Sequence, residues 1–369
     1  MDILILNSIL YTADNGTIPT VESIKDTMIY NMCLGFKSLG HNITLATSED
    51  YKPTKNEEYD FSIIFFKSNY KKICKPAMLP YSSELKKYIK QNHKNYDLVI
   101  SSEVFQFQSF FAARICPYKT IIWQELTEHQ NKFHKIPSKI WHNIIAKLCM
   151  KKVLVVVPRS QQAYNFISQY MPSVSSTIID HGINVDKFKF SANKKRQIIS
   201  SSQLIHRKNV DGIIKIFNKF HQLNGYEDIK LIIAGRGEEE HNLKKLVKDL
   251  NLQDSIKFVG FLSQTELNEY IRNSYAFLVN TRKDLNMVSI PESIVSGTPI
   301  LTNRQPASAD YIEKNKLGIV KDNWDENDMV AIINNNSTYV NNCLQYREKL
   351  TNKYSAKLFI DIFNDLKNK

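Results

Sequence analysis

The chain has 369 residues, 43% apolar and 23% charged, values that exclude a disordered protein and favour two domains over one core. Lys and Arg exceed Asp and Glu by twelve, which suits either a polyanionic partner or plain solubility. No aromatic–basic interleaving accompanies that charge, so nucleic acid is set aside as a partner.

The opening "MDILILNSIL" is a buried-strand run. It carries Asp2 and no basic head, so it does not read as a signal peptide, and no later run reaches the roughly 18 apolar residues of a membrane span. A polar loop, "YTADNGTIPT", leads to a helix over "SIKDTMIYNMCLGFKSLG", with Ile24, Met28, Met32 and Phe36 at helical spacing. "HNITLAT" completes a strand–loop–helix–strand unit. "DFSIIFF", "YDLVISS", "YKTIIWQ", "KKVLVVVP" and "SSTIIDHG" continue the strands, giving a doubly wound parallel sheet over 1–188. After the basic linker "NVDKFKFSANKKRQ" the pattern restarts in 189–350. Strands "RQIISSSQL", "IKLIIAG", "SIKFVGF", "AFLVNTR" and "TPILTN" alternate with helices "NVDGIIKIFNKFHQL", "EEHNLKKLVKDLNL", "TELNEYIRNS" and "IPESIVSG". Residues 351–369 read as a helix expected to pack back on the N-terminal domain. The expected fold is α/β, two Rossmann-like domains facing across a cleft, with ligands beyond the carboxyl ends of the strands. The five cysteines form no Cys-x-x-Cys pair and fit free thiols in a reducing cytoplasm.

Three stretches carry chemistry. "AGRGEEEHNL" offers Gly235 and Gly237 before a helix, but Glu240 replaces the third glycine of a dinucleotide fingerprint, so a plain turn and cap is preferred. "SQLIHRKNVDG" places Arg207 and Lys208 beside a helix start, which makes either a diphosphate clamp or a solvated basic loop. "DLNMVSIPES" puts Asp284 and Glu292 at the ends of a mostly apolar stretch. Pro291 sets Glu292 at a helix start, where it could hold a ribose diol or simply complement the helix dipole.

Taken in order, "GHNITL", "IDHGINVDKF", "LIHRKN", "LIIAGRGEE", "IKFVGFLSQTELNEYIRNSYAFLVNT" and "DLNMVSIPESIVSGTPIL" resemble the family-4 retaining glycosyltransferases of the GT-B fold over nearly the whole chain. The family's E-x7-E motif stands here as Asp284-x7-Glu292. The resemblance implies that Glu292 binds the ribose of a UDP- or GDP-hexose, that Asp284 contacts the donor sugar, and that Lys208 binds the diphosphate. Gln203 stands where the family has an arginine, and Arg207 is expected to replace its charge. Met287 and Val288 occupy the ground of the family's glycines between the two acids. Phe261, and Gly16 in the N-terminal loop, complete the expected donor contacts. The family's N-domain histidine has no counterpart; "IIWQELTEHQ" offers Gln124, Glu125 and His129. Glu125 is read as an acceptor-side acid or base, against a purely structural acid.

The resemblance implies a front-face transfer in which the leaving diphosphate helps to deprotonate the incoming hydroxyl while Lys208, Arg207 and helix amides neutralise it. No Asp-x-Asp triplet occurs, and neither metal nor cofactor is expected. Expected acceptors are glycans, lipid-linked or cell-surface polysaccharides, reached in the cytoplasm or at the inner membrane face. Alternatives are a nucleotide-sugar epimerase of the same fold, or a non-catalytic sugar-nucleotide or glycan-binding protein. Finally, "IPSKIWHNIIAKLCMKK" sets Ile140, Ile144 and Leu148 on one face with lysines off it. The reading preferred here packs that stripe on the sheet; contact with anionic lipid is the alternative.

Overall fold

The structure, a computed structural model, describes residues 1–11, 18, 20–130, 132–180, 182–283 and 287–368. It divides into two compact units, Met1–Gly182 with Asn352–Lys369, and Ile183–Thr351.

The first unit runs β1 (Asp2–Leu6), α1 (Met28–Ser38), β2 (Asn42–Ser48), β3 (Ser62–Phe66), α2 (Ser83–Asn92), β4 (Leu98–Ser102), α3 (Phe107–Ile115), β5 (Thr120–Gln124), α4 (Ile136–Ile140), β6 (Val155–Pro158) and α5 (Gln161–Ile167). From α4 the chain continues as a π-helix, Trp141–Met150. All strands are parallel, in the order β3-β2-β1-β4-β5-β6. Helix α1 starts later than its pattern suggests, because the Thr27 hydroxyl caps it by accepting from the Tyr30 N–H.

The second unit runs β7 (Gln197–Ser201), α6 (Val210–His221), β8 (Lys230–Ala234), α7 (Glu240–Asp249), β9 (Ile256–Gly260), α8 (Gln264–Arg272), β10 (Phe277–Leu278), α9 (Ser289–Val295), β11 (Ile300–Thr302), α10 (Ala309–Lys314), β12 (Gly318–Val320), α11 (Glu326–Asn334) and α12 (Asn336–Tyr346). Its sheet, also parallel, is ordered β12-β11-β10-β7-β8-β9. Both sheets therefore follow one Rossmann-like order, first strand central and direction of addition reversing beside it. The expected α/β class with two such sheets is what the chain adopts.

Each sheet buries both faces. Ile198, Leu231, Ile233 and Leu278 pack with Phe217 and Phe220 of α6 in the second unit. In the first, Ile3, Ile5, Leu45 and Trp123 pack with Phe36 of α1 and with Phe359 and Phe363 of the last helix, α13 (Asn352–Lys367). Asn352 ties α13 to α1, its side-chain amide donating to the Asn31 carbonyl at 2.8 Å.

Two expectations fail. "SSTIIDHG" forms no strand: the Ile179 N–H donates to the Pro158 carbonyl at 3.0 Å and its own carbonyl accepts the Trp123 indole N–H at 2.7 Å, so its backbone is bonded to the end of β6 and to a side chain. The stripe of Ile140, Ile144 and Leu148 does not pack on the sheet. The helix buries Trp141, His142, Ala146 and Met150 instead, whose larger rings fill the space beside β6 and α3.

Candidate functional site

In an open parallel sheet the crevice for ligands lies beyond the carboxyl ends of the two strands where the order reverses. In the second unit those strands are β7 and β10. Past β7, the Ser202 N–H donates to the Ala234 carbonyl at 3.1 Å and the Leu204 N–H to the Arg236 carbonyl at 2.9 Å. This close passage explains the two glycines of "AGRG". A Cβ on Gly235 would lie 1.9 Å from the Ser202 carbonyl oxygen, and one on Gly237 2.3 Å from that of Leu204. The glycines serve loop packing, as a plain turn would, and α7 begins only at Glu240, where the N-cap residue Glu239 makes no side-chain cap bond.

His206–Lys208 then make one tight turn, closed by Asn209 in the left-handed region (φ 55°) before α6. This turn is stitched to the segment past β10. The Arg207 carbonyl accepts from the Arg282 N–H at 2.9 Å and the Thr281 hydroxyl at 3.1 Å, while the Arg207 guanidinium donates to the Lys283 carbonyl at 2.9 Å. The Arg282 guanidinium donates to the His206 carbonyl and pairs with Asp211 at 3.3 Å. A cavity of about 170 Å³ lies alongside, lined in part by His206, Asp211, Glu239 and Arg282. The structure thus brings the Arg207–Lys208 turn against residues 281–283, the lead-in to Asp284. Asp284 itself, like Gly16, lies outside the described residues.

Glu292 occupies the first turn of α9 and is 6% exposed. Burial alone pushes its carboxyl up to about 8, because the ion has lost its water. Its helix is held rigidly. The Ser296 hydroxyl donates to the Glu292 carbonyl at 2.7 Å, and the Ser293 hydroxyl to the Thr298 carbonyl at 2.9 Å. Gly297 (φ 81°) ends α9 in the left-handed region, and the Thr298 hydroxyl donates to the Ile271 carbonyl of α8 at 2.6 Å. The Gly-Thr-Pro turn therefore bolts α9 to its neighbour and sends the chain into β11. Met287 is buried and Val288 half-buried at the entry to α9. Phe261, at the carboxyl end of β9, leaves its ring 76% exposed, next to the Gly235 turn whose N–H donates to the Gly260 carbonyl at 2.8 Å.

The first unit has its own cluster at the ends of β4, β5 and β6. Glu103 follows β4 with φ 66°, an uncommon conformation for a residue with a side chain, of the sort found at functional sites. Its carboxylate accepts the backbone N–H of Glu125 at 2.7 Å and of Leu126 at 3.3 Å. Burial pushes Glu103 up to about 7 against the opposing pull of Arg159. Glu125 pairs with Arg159 at 2.5 Å, and the Arg159 guanidinium lies 3.6 Å over the Trp123 ring. The Glu125 side chain is 43% exposed and that of Arg159 8%, so the cation is fixed and the acid reaches outward. Gln124 turns inward, accepting the Val104 N–H at 3.0 Å. His129 is bound between Ser138 and Tyr170, 3.1 Å from each, in an aromatic cluster with His142 and Phe166. Glu103, Arg159 and Arg282 were missed by reading the sequence segment by segment. The signal was there for the first two: Glu103 follows "LVISS" and Arg159 follows "VLVVVP", each directly after a strand, as Glu125 follows "TIIWQ".

Residues 183–351, the whole second unit, match the family model of glycosyl transferases group 1. This unit is thus similar to that family over its full length. The alpha-monoglucosyldiacylglycerol synthase of Streptococcus pneumoniae is 23% identical over 194 residues, 48% of this chain and 43% of that protein. The O-antigen biosynthesis glycosyltransferase WclY of Escherichia coli is 24% identical over 227 residues, 58% and 61% of the two chains. The chain spans about half the length of the curated relatives it matches. Among solved structures, the sucrose-phosphate synthase of Thermosynechococcus elongatus superposes with a TM-score of 0.67 at 13% identity, covering 100% of this chain and 99% of that one. HepE of Anabaena, solved with UDP and glucose, gives 0.63 at 12%, covering 99% and 100%. These likenesses establish the two-domain GT-B fold for the chain.

Proposed function

We propose that the chain transfers a hexose from a nucleoside-diphosphate sugar, UDP- or GDP-linked, to a hydroxyl of a glycan or lipid-linked acceptor in the cytoplasm, with retention at the anomeric carbon, as in family 4. The observation that carries this reading is the stitching of the Arg207–Lys208 turn to residues 281–283 at the strand-order reversal of the group 1 unit. Arg207 and Lys208 supply two cations to this turn, and the residue after Lys283 is Asp284. The relatives named for glycolipid and O-antigen synthesis, and the neighbour solved with UDP and glucose, agree with it.

In this reading Lys208 is the principal diphosphate ligand. Arg207, with one arm on the Lys283 carbonyl, supports it. Phe261 offers its exposed ring to the base. Ribose hydroxyls donate to Glu292, which then gains the hydrogen bonds that favour its ionised form. Met287 and Val288 shape the wall, and Asp284 holds the sugar. The anomeric carbon–diphosphate oxygen bond breaks as the acceptor oxygen bonds to the same face, and the hydroxyl proton passes to the departing diphosphate. Charge stabilisation comes from fixed protein cations, so no metal is required. Glu125 takes the acceptor hydroxyl, held by Arg159, while Glu103 positions the Glu125 backbone.

The test is incubation with a panel of nucleotide hexoses and membrane or glycan acceptors, with the product read by NMR. An α-donor should give an α-glycoside, with undiminished rate in a chelator. A β-glycoside, or a strict need for added manganese or magnesium, contradicts the mechanism. Free sugar released without a glycoside favours the epimerase, and donor binding without turnover favours a binding protein.

A further inference from the structure

Ile136, Ile140, Ile144 and Leu148 are 53, 50, 52 and 66% exposed, an unusual concentration of bare apolar surface on one helix. They recur every fourth residue along α4 and its π-helical continuation, so they form one ridge. The opposite face is anchored: Trp141, Ala146 and Met150 are buried against Val104, Phe105, Val153 and Val156. The ridge is thus the outer face of a fixed helix.

Its charge surroundings are one-sided. Between Glu128 and Asp180 the sequence holds six lysines and one arginine and no acid. Lys139, Lys147, Lys151 and Lys152 flank the ridge and are all exposed. Lys147 lies 5.5 Å over the Tyr170 ring, which fixes its stem while its charge stays at the surface. A second protein could take the apolar ridge, but the cations and the missing acids call for an anionic plane rather than an apolar groove. No helix of the described residues is long and apolar enough to cross a membrane, so contact through this helix lies on the surface.

We propose that this face docks on an anionic lipid bilayer, the four apolar side chains entering the interface and the lysines meeting headgroup phosphates. The helix is tied to the candidate acceptor edge, since the Trp141 indole donates to the carbonyl of Val104, the residue after Glu103, at 2.9 Å. Docking itself does not depend on the transfer reading.

The experiment is co-sedimentation of the full chain with vesicles of phosphatidylcholine alone or of equimolar phosphatidylcholine and phosphatidylglycerol. Binding should need the anionic lipid and weaken as salt is added. Ile144→Gln with Leu148→Gln should weaken it at least about tenfold, as apolar area is lost from the interface. Lys139→Gln, Lys151→Gln and Lys152→Gln together should weaken it on the order of a hundredfold, about fivefold per lysine. Both sets alter exposed side chains, and an unchanged melting temperature confirms the fold; if the apolar pair unfolds, the lysine set and the salt series decide. Equal binding to both vesicles, or variants that bind as the parent does, overturns the proposal. So does a concentration-dependent dimer that Ile144→Gln abolishes, which would give the ridge to a second copy. Nucleotide-sugar affinity, measured on the same variants without vesicles, should not change. Loss of lipid binding with intact transfer sinks only the docking, and the reverse sinks only the transfer.

Discussion

At the carboxyl edge of the N-terminal sheet, β4, β5 and β6 present Glu103, Glu125 and Arg159; at that of the C-terminal sheet, β7 and β10 present Arg207, Lys208 and Arg282. The strand order is the same, 3-2-1-4-5-6 in each unit's own count, and so is the place where ligands gather. The chemistry is inverted. In the first unit one cation is buried over Trp123 and holds an outward acid. In the second, Arg207, Lys208 and Arg282 follow the strands, Asp211 pairs with Arg282, and Glu292 is buried. Topology chooses where a site lies, and the few residues just past each strand choose what it binds. An edge of cations suits a diphosphate; an edge with a presented acid suits a neutral polyol.

The largest test of this contrast is Glu292. Glu292→Ala should weaken nucleotide-sugar binding by two orders of magnitude or more in calorimetry, because the ribose loses its only proposed carboxylate partner. Its burial also predicts a pH effect on the free protein. The folded pKa of about 8 lies above the ordinary 4.5, so the folded chain keeps a proton that the unfolded chain releases. Stability from this group is complete below pH 4.5 and is lost as pH rises toward 8. Glu292→Gln should therefore gain melting temperature over the parent as pH goes from 5 to 8; a constant gap means the carboxyl is not desolvated.

Next comes Lys208. Lys208→Ala should weaken binding of nucleoside diphosphates roughly 10- to 100-fold, the loss of a charge-assisted contact of about 1.5–3 kcal/mol. Arg207→Ala should cost less, its guanidinium already serving the Lys283 carbonyl. Nucleoside binding should barely change in either. A larger effect from Arg207 would reverse the assignment.

Phe261→Ala sharpens the account of the base. Stacking of about 1–3 kcal/mol predicts a loss of at least several-fold in nucleotide affinity, with inorganic pyrophosphate unaffected. An unchanged affinity leaves the exposed ring without a role in the donor site.

The smallest effect on donor binding belongs to the opposite edge. Glu103→Gln should leave nucleotide affinity within about twofold, since the second unit alone holds the nucleotide in this account, and should lower turnover about tenfold or more through the misplaced Glu125. Because burial holds Glu103 near 7, the rate should also lose part of its rise between pH 6 and 8. An equal fall in affinity and turnover would give Glu103 a part in donor binding and contradict the division of roles.

Much of this was legible because buried parallel strands are continuous apolar runs; six in the first unit and five in the second announce themselves. β12, "GIV", did not: its glycine and two apolar residues make no apolar run in the sequence. "SSTIIDHG" misled because apolar residues alone do not say which backbone partners are free; those of Ile179 are Pro158 and Trp123. The helix from Ile136 to Met150 has two apolar faces, and periodicity cannot rank them. The indole of Trp141 decided, by filling the pocket beside Phe105 and Phe107. At the candidate site, Lys208 and Glu292 are singled out by the resemblance of their segments to family 4, not by local spacing. Glu103 and Arg159 are far apart in sequence, and only the pairing of β4, β5 and β6 puts them around Glu125.

The most direct measurement is calorimetric titration of UDP and GDP into the parent chain, Glu292→Ala and Glu103→Gln under one set of conditions. The account predicts saturable binding of one nucleotide to the parent, the same binding within about twofold for Glu103→Gln, and none detectable for Glu292→Ala despite an intact fold. Binding that survives Glu292→Ala but is lost in Glu103→Gln would put the nucleotide on the other edge and contradict it.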